Sequence, residues 1–300
     1  MRLLILGGSG MLGHQLLKHF QNRYDVRVTL RQSMDAYNKH HLFNTKNSYF
    51  DIDVRRDADL LSVFSDYKPH VVMNAVGMVK QREQGKEAMA SLEINALLPH
   101  RLISFCKALK MRLIHISTDC VFSGRKGQYV ENDCSDAEDI YGRTKYLGEV
   151  NTPFSITLRT SLIGLELSRQ GSLIEWFMNQ QGKIKGFQRA IYTGLTTCEM
   201  SRVIEKIIFH HPVLSGIWHV ASHSINKYNL LTLLAKLLDR QDIDIEIDDQ
   251  FFCDRSLKAY AFNQETGYEA PSWDMMLSEL VDQINERNGK RTIVEMKCSA

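Results

Sequence analysis

Hydrophobic residues along the chain fall into short continuous runs separated by stretches of helical period. Arg2-Leu-Leu-Ile-Leu6 is an apolar run closed by glycine, the form of a strand buried on both faces. From Met11 to Phe20 the apolar residues Met11, Leu12, Leu16, Leu17 and Phe20 recur at helical spacing. Val26 to Leu30 predicts a second strand, Leu60 to Tyr67 part of a helix, and Val71 to Met73 and Leu113 to Ile116 two further strands. Between those two lies a long helical stretch, about Met89 to Leu109, with a bend expected at Pro99. Ser155 to Leu158 closes the series. Repeated strand–helix–strand order needs crossover connections, and these make neighbouring strands parallel. The expectation is a doubly wound α/β domain with a parallel sheet.

Past about residue 160 the alternation weakens. Leu173 to Met178, Ser201 to Phe209 and Leu230 to Leu238 predict helices, and Ile217 to Val220 a strand. Asp242 to Asp249 alternates acids with isoleucine, the pattern of a half-buried strand. The expected division is a first domain over 1–160 and a smaller C-terminal α/β domain over 161–300. A segment at about 216–222 is expected to return to the first sheet.

Composition narrows the functional classes. Of 300 residues, 44% are hydrophobic and 24% charged, which excludes a disordered chain. The 37 basic and 35 acidic side chains leave +2, so no net field draws the protein to nucleic acid or a membrane surface. No apolar stretch approaches the roughly 18 residues of a membrane span. Six cysteines, at 106, 120, 134, 198, 253 and 298, show neither disulfide nor zinc spacing. A cytosolic, reducing compartment is the expectation by elimination. No metal is expected, because no acid cluster accompanies the paired histidines.

Gly7-Gly-Ser-Gly-Met-Leu-Gly13 joins the first strand to the first helix, with glycines at 7, 10 and 13. Such a loop permits a tight turn, close backbone approach to a pyrophosphate and close packing of helix on strand. The phosphates would meet the free N–H groups of the helix N-terminus. An acid at the end of the second strand would select a free ribose 2′-hydroxyl. Here that strand ends in Arg31, which suits a 2′-phosphate and favours NADP(H); the alternative is a solvated surface arginine. Asp51-Ile52-Asp53 resembles the acidic segment that meets adenine in dinucleotide-binding folds.

Tyr141-Gly-Arg-Thr-Lys145 places a phenol and an ammonium four apart, on one face of a helix. A lysine cation would stabilise the phenolate and bring the phenol toward working range. Ser117-Thr118-Asp119 follows the strand ending at Ile116, at the carboxyl edge where open α/β sheets bind ligands. Hydroxyls there can hold a carbonyl oxygen beside the tyrosine.

These residues, with Asn74-Ala75-Val76-Gly77, Asn95 and Leu158-Arg-Thr160, resemble an extended short-chain dehydrogenase/reductase of Rossmann fold, in the dTDP-4-dehydrorhamnose reductase branch. The resemblance is strong to about residue 165 and fades beyond it. It implies that Thr118 binds a keto oxygen, Tyr141 donates a proton, and Lys145 holds the nicotinamide ribose, with Asp119 and Cys120 beside them. It implies NADP(H) contacts from Gly7, Ser9, Gly10, Met11, Leu12, Gly13, Arg31, Asp51, Ile52, Asn74, Ala75, Val76, Asn95 and Ser117. Lys80, Gln81, Ser161, Lys185 and Arg255 are the implied contacts to a nucleotide-sugar substrate, and a homodimer is left open.

Cys120 stands where the branch usually has tyrosine. Relatives with cysteine there both epimerise and reduce, with a His or Lys on the opposite sugar face; Lys183 or Lys185 is the candidate here. The other reading of Cys120 is a small residue lining the pocket. The motifs around Ser117–Gly124, Leu162-Ile-Gly164, Trp176-Phe177, Lys185-Gly186 and Asp254–Leu257 are similar to reductases making UDP-N-acetyl-L-rhamnosamine. Some members of the branch are nucleotide-binding regulatory subunits without turnover, the rival reading.

Overall fold

The computed structural model describes residues 1–78, 87–168 and 171–289. The first half runs β1 (Arg2–Leu6), α1 (Met11–Phe20), β2 (Asp25–Thr29), β3 (Ser48–Tyr49), α2 (Asp57–Tyr67), β4 (Val71–Asn74), α3 (Glu87–Ser91), α4 (Leu98–Leu109), β5 (Arg112–Ile116), α5 (Ile140–Leu147) and β6 (Ser155–Arg159). The second half continues with β7 (Leu162–Ile163), α6 (Leu173–Met178), β8 (Gly182–Phe187), β9 (Ala190–Tyr192), β10 (Leu195–Thr196), α7 (Thr197–His210) and β11 (Gly216–His219). It ends with β12 (Ile225–Asn226), α8 (Lys227–Leu237), β13 (Ile243–Asp248), β14 (Cys253–Asp254), α9 (Tyr260–Thr266) and α10 (Trp273–Arg287).

Seven parallel strands form the main sheet, in the order β11-β6-β5-β4-β1-β2-β3. The chain winds outward from β1 in one direction and from β4 in the other, so the switch point lies between them. This is the doubly wound α/β fold that the periodicity predicts. β1 shows why its run is apolar throughout. Leu3 and Ile5 pack on one face, with residues of α1 and α7, while Leu4 and Leu6 pack on the other, with residues of α2 and α4. All four are fully buried, each contributing about 1.5–3 kcal/mol.

The core under α1 continues into α7, α8 and α10, so the two halves share one apolar cluster. β11 pairs with β6 at the edge of the main sheet. The rest of the second half is built on short sheets, β12-β9-β14, β13-β8 and β10-β7. The helical stretch before β5 departs from a single bent helix: a π-helical turn over Leu92–Leu97 separates α3 from α4. The departure precedes Pro99, which has no N–H for the Asn95 carbonyl four residues back.

Candidate active site

The glycine loop follows β1 at the switch point. A β-carbon on Gly13 would lie 2.1 Å from the Gly7 carbonyl oxygen, so α1 can start this close to the strand only with glycine there. Gly10, the N-cap, offers no side-chain cap, and the first turn of α1 carries no acid. The N–H groups of that turn are thus left for an anion. Across the switch point, Asn74 at the end of β4 accepts from the Val76 N–H at 3.2 Å and meets the buried His115 ring at 3.1 Å. Arg31 is exposed just past β2, and Asp51 and Ile52 lie alongside, tied by the Ile52 N–H to the Leu30 carbonyl.

At the carboxyl end of β5 the chain turns sharply. Thr118 caps a short 3-10 turn over Asp119–Val121 by accepting from the Cys120 N–H at 3.1 Å. α5 then crosses this turn so closely that a β-carbon on Gly142 would sit 2.1 Å from the Cys120 carbonyl. Asp139 caps α5 by accepting from the Gly142 N–H at 2.8 Å. That crossing sets the Tyr141 phenol beside the Thr118 hydroxyl, which itself donates to Asp119 at 3.2 Å. One turn further on, Lys145 is buried and donates from Nζ to the Ile116 carbonyl at 2.5 Å. From the second half, Arg255 donates to the Phe122 carbonyl at 2.8 Å and to Cys120 Sγ at 3.4 Å. Ser161 stands beside Asp119, and Tyr192 beside Ser161.

Burial dominates the electrostatics of this cluster. It pushes the Tyr141 phenol up, the neighbouring Cys120 and Asp119 further disfavour a phenolate there, and the Thr118 hydroxyl opposes them. The sequence leads one to expect the phenol drawn down by Lys145. Instead Tyr141 is an acid held protonated, because desolvation outweighs the available stabilisation of a phenolate. Burial pushes the Cys120 thiol up to about 12, with Asp119 adding and Arg255 opposing. The Asp119 carboxyl is raised by burial, against Arg255. Burial draws Lys145 down to about 8, against Glu149.

The structure therefore gathers Thr118, Asp119, Cys120, Tyr141, Lys145, Ser161 and Arg255. Other expected residues have different employment. The Ser117 hydroxyl donates to Glu149 at 2.7 Å. The Asn95 amide is spent on the Met78 backbone, at 2.9 and 3.0 Å, and on Thr144 at 3.2 Å. It positions the loop after β4 against α5. Lys185 and Lys183 project into solvent from β8, where strand pairing with β13 hands them Asp248 at 3.0 Å and Glu246 at 2.5 Å. Neither is placed as a partner acid to Cys120. Lys80 and Gln81 lie outside the described residues.

Three residues went unmarked in the sequence reading: Gly142, Glu149 and Tyr192. Gly142 had a local signal, a glycine inside a helix that it weakens by up to about 1 kcal/mol. Among the described residues, no group of three His, Cys, Asp or Glu side chains is arranged to hold a metal ion. Nor is any helix there long and apolar enough to cross a membrane.

Residues 1–164 match the family described as the RmlD substrate binding domain. The chain is 28% identical over 236 residues to a dTDP-4-dehydrorhamnose reductase of Aggregatibacter actinomycetemcomitans, covering 73% of this chain and 72% of that one. It is 30% identical over 150 residues to methionine adenosyltransferase 2 subunit beta of Danio rerio, covering 49% and 42%. The crystal structure of dTDP-4-dehydrorhamnose reductase from Bacillus anthracis in complex with NADP is similar with a TM-score of 0.76. Identity there is 19%, over 94% of this chain and 99% of that one.

Proposed function

The chain belongs to the RmlD substrate binding domain family, and on that premise we propose that it is an NADPH-dependent reductase of the 4-keto group of a nucleotide-linked 6-deoxy sugar. The observation that carries this reading is the meeting of the Thr118 and Tyr141 hydroxyls at the carboxyl edge of β5, with Lys145 buried one turn away. The uncapped first turn of α1 suits a dinucleotide pyrophosphate, and Arg31 suits the 2′-phosphate.

When bound, NADPH supplies the hydride that reduces the keto carbon. Thr118 and Tyr141 hold the keto oxygen between their hydroxyls. Tyr141, kept protonated by burial, gives its proton to the developing alkoxide. Hydride and proton together turn the ketone into a secondary alcohol. The Lys145 cation steadies the phenolate left on Tyr141. Arg255, half-buried beside Cys120, faces the same cluster and suits the diphosphate of the sugar nucleotide.

Reduction without epimerisation is the reading favoured here. The Cys120 thiol is held in its acid form, and Lys183 and Lys185 are paired elsewhere. UDP-4-keto-6-deoxy-L-hexosamine is the substrate to offer first, on the motif resemblance, with dTDP- and UDP-4-keto-rhamnose next.

The second reading is a nucleotide-binding subunit without turnover, favoured by the relative named as a subunit of another enzyme. One assay separates the two. NADPH oxidation is followed with a panel of UDP- and dTDP-4-keto-6-deoxy sugars, and products are identified by mass spectrometry. A reduced sugar is expected. Tight NADPH binding with no turnover of any sugar would leave the subunit reading.

A further inference from the structure

Behind the reacting cluster lies a second set of polar groups, buried and bonded to one another. Glu149, just past the end of α5, receives Nε and Nη2 of Arg159 from β6 at 2.8 Å each. The two side chains are 3% and 4% exposed. Ser117, just past β5, adds its hydroxyl to Glu149 at 2.7 Å. The remaining Arg159 nitrogen, Nη1, reaches the Glu131 carbonyl at 3.1 Å and His219 Nε2 at 3.3 Å. His219 Nδ1 faces the Lys258 carbonyl at 3.2 Å, so the ring carries its proton on Nδ1 and accepts from Arg159 at Nε2. A buried ion pair of this kind adds little stability over a well-packed apolar replacement. Its position relative to Lys145 gives it a different use.

We infer that the Glu149–Arg159 pair is the support of Lys145: it ties the end of α5 to β5 and β6 and keeps a carboxylate four residues on from the buried ammonium. The role matters through the reductase reading, in which Lys145 acts as a cation. Otherwise the ammonium has the Ile116 carbonyl, a neutral acceptor. Burial draws Lys145 down, and Glu149 is the group that holds it up. The other titratable neighbours cannot substitute. Tyr141, one turn earlier on α5, is pushed up and neutral. His115, on β5, is driven well below its usual range by burial and by Lys145 itself. His219, beyond Arg159 on β11, is held neutral near 4. Glu149 is thus the charge that holds Lys145 up from this side, and Arg159 is the group that fixes Glu149 in place.

The test uses the full-length protein. Glu149→Gln alone strands Arg159 in the interior and endangers folding. The decisive variant is therefore Glu149→Gln with Arg159→Met, which removes both charges at similar volume. Glu149→Asp is its conservative counterpart, with the charge kept. Lys145 is titrated by NMR of protein carrying 13Cε-lysine, and kcat is measured against pH. In the double variant Lys145 should titrate about one pH unit lower. The basic limb of kcat should move with it, a loss of about fivefold at pH 8 with rates at pH 6 within about twofold. Glu149→Asp should titrate near wild type. A folded double variant in which Lys145 titrates as in wild type overturns the inference. The NMR titration needs neither cofactor nor sugar. A protein that reduces no sugar but shows the shift therefore leaves the support standing and removes only its link to catalysis.

Discussion

Arg255 donates to the Cys120 sulfur at 3.4 Å, so the second half of the chain closes directly onto the turn after β5. The guanidinium by itself favours the thiolate, but burial outweighs it and holds the half-buried thiol in its acid form with a pKa near 12. Removing a proton beside a keto group needs a base, and a thiol in that state is not one at neutral pH. Product formed in D2O should therefore carry no solvent deuterium on the carbon beside the reduced centre, as read by mass spectrometry. Carbon-bound deuterium that vanishes in Cys120→Ser would restore the proton-shuttle role.

Tyr141→Phe removes the proton donor but leaves the ring that packs against the turn. Turnover should fall by at least about a hundredfold. NADPH affinity, measured by fluorescence titration, should stay within about twofold. Retained turnover would assign the proton to another group.

Arg31 is exposed at the end of β2 and free to meet a 2′-phosphate. Arg31→Ala should weaken NADPH by roughly tenfold or more while barely changing NADH, since only the former loses a charge-assisted contact. Equal losses for the two cofactors would show that the arginine does not read the phosphate.

His14 and His219 are each lowered to about 4, chiefly by burial, and His115 lies well below its usual value for the same reason. Between pH 6.5 and about 4 the unfolded chain binds protons on these rings that the folded chain refuses. Stability from these three groups is therefore full above 6.5 and is lost as pH falls through that window. Unfolding near pH 5.5 should take up about three protons through them. The measurement is the pH dependence of the melting temperature combined with its calorimetric enthalpy. A melting temperature flat from pH 7 to 5 would contradict it.

Much of the fold is local in origin and was readable as such. The run at Leu3–Leu6, the glycines at 7, 10 and 13 and the helical spacing from Met11 to Phe20 follow one another without a break along the chain. Together they define a strand, a turn and a helix without reference to the rest of the chain. The four-residue interval from Tyr141 to Lys145 puts both on one helix face wherever that helix docks. Short elements such as β9 and β14 have too few residues for a period and exist because neighbouring strands accept them. Lys185 was marked by motif resemblance alone, and its neighbour Asp248, brought beside it at 3.0 Å by the pairing of β8 with β13, has no signal in the local sequence.

By itself, then, the sequence determined the doubly wound sheet, the glycine loop and the pairing of phenol with ammonium, because each is encoded in the spacing of near neighbours. Tertiary structure alone decided which groups are kept from water. α5 crosses the turn after β5 at Gly142, Arg255 arrives from more than a hundred residues away, and Glu149 is enclosed with Arg159. Those enclosures set the direction in which Tyr141, Cys120, Asp119 and Lys145 are shifted, since the cost of a buried charge depends on packing that no local pattern records.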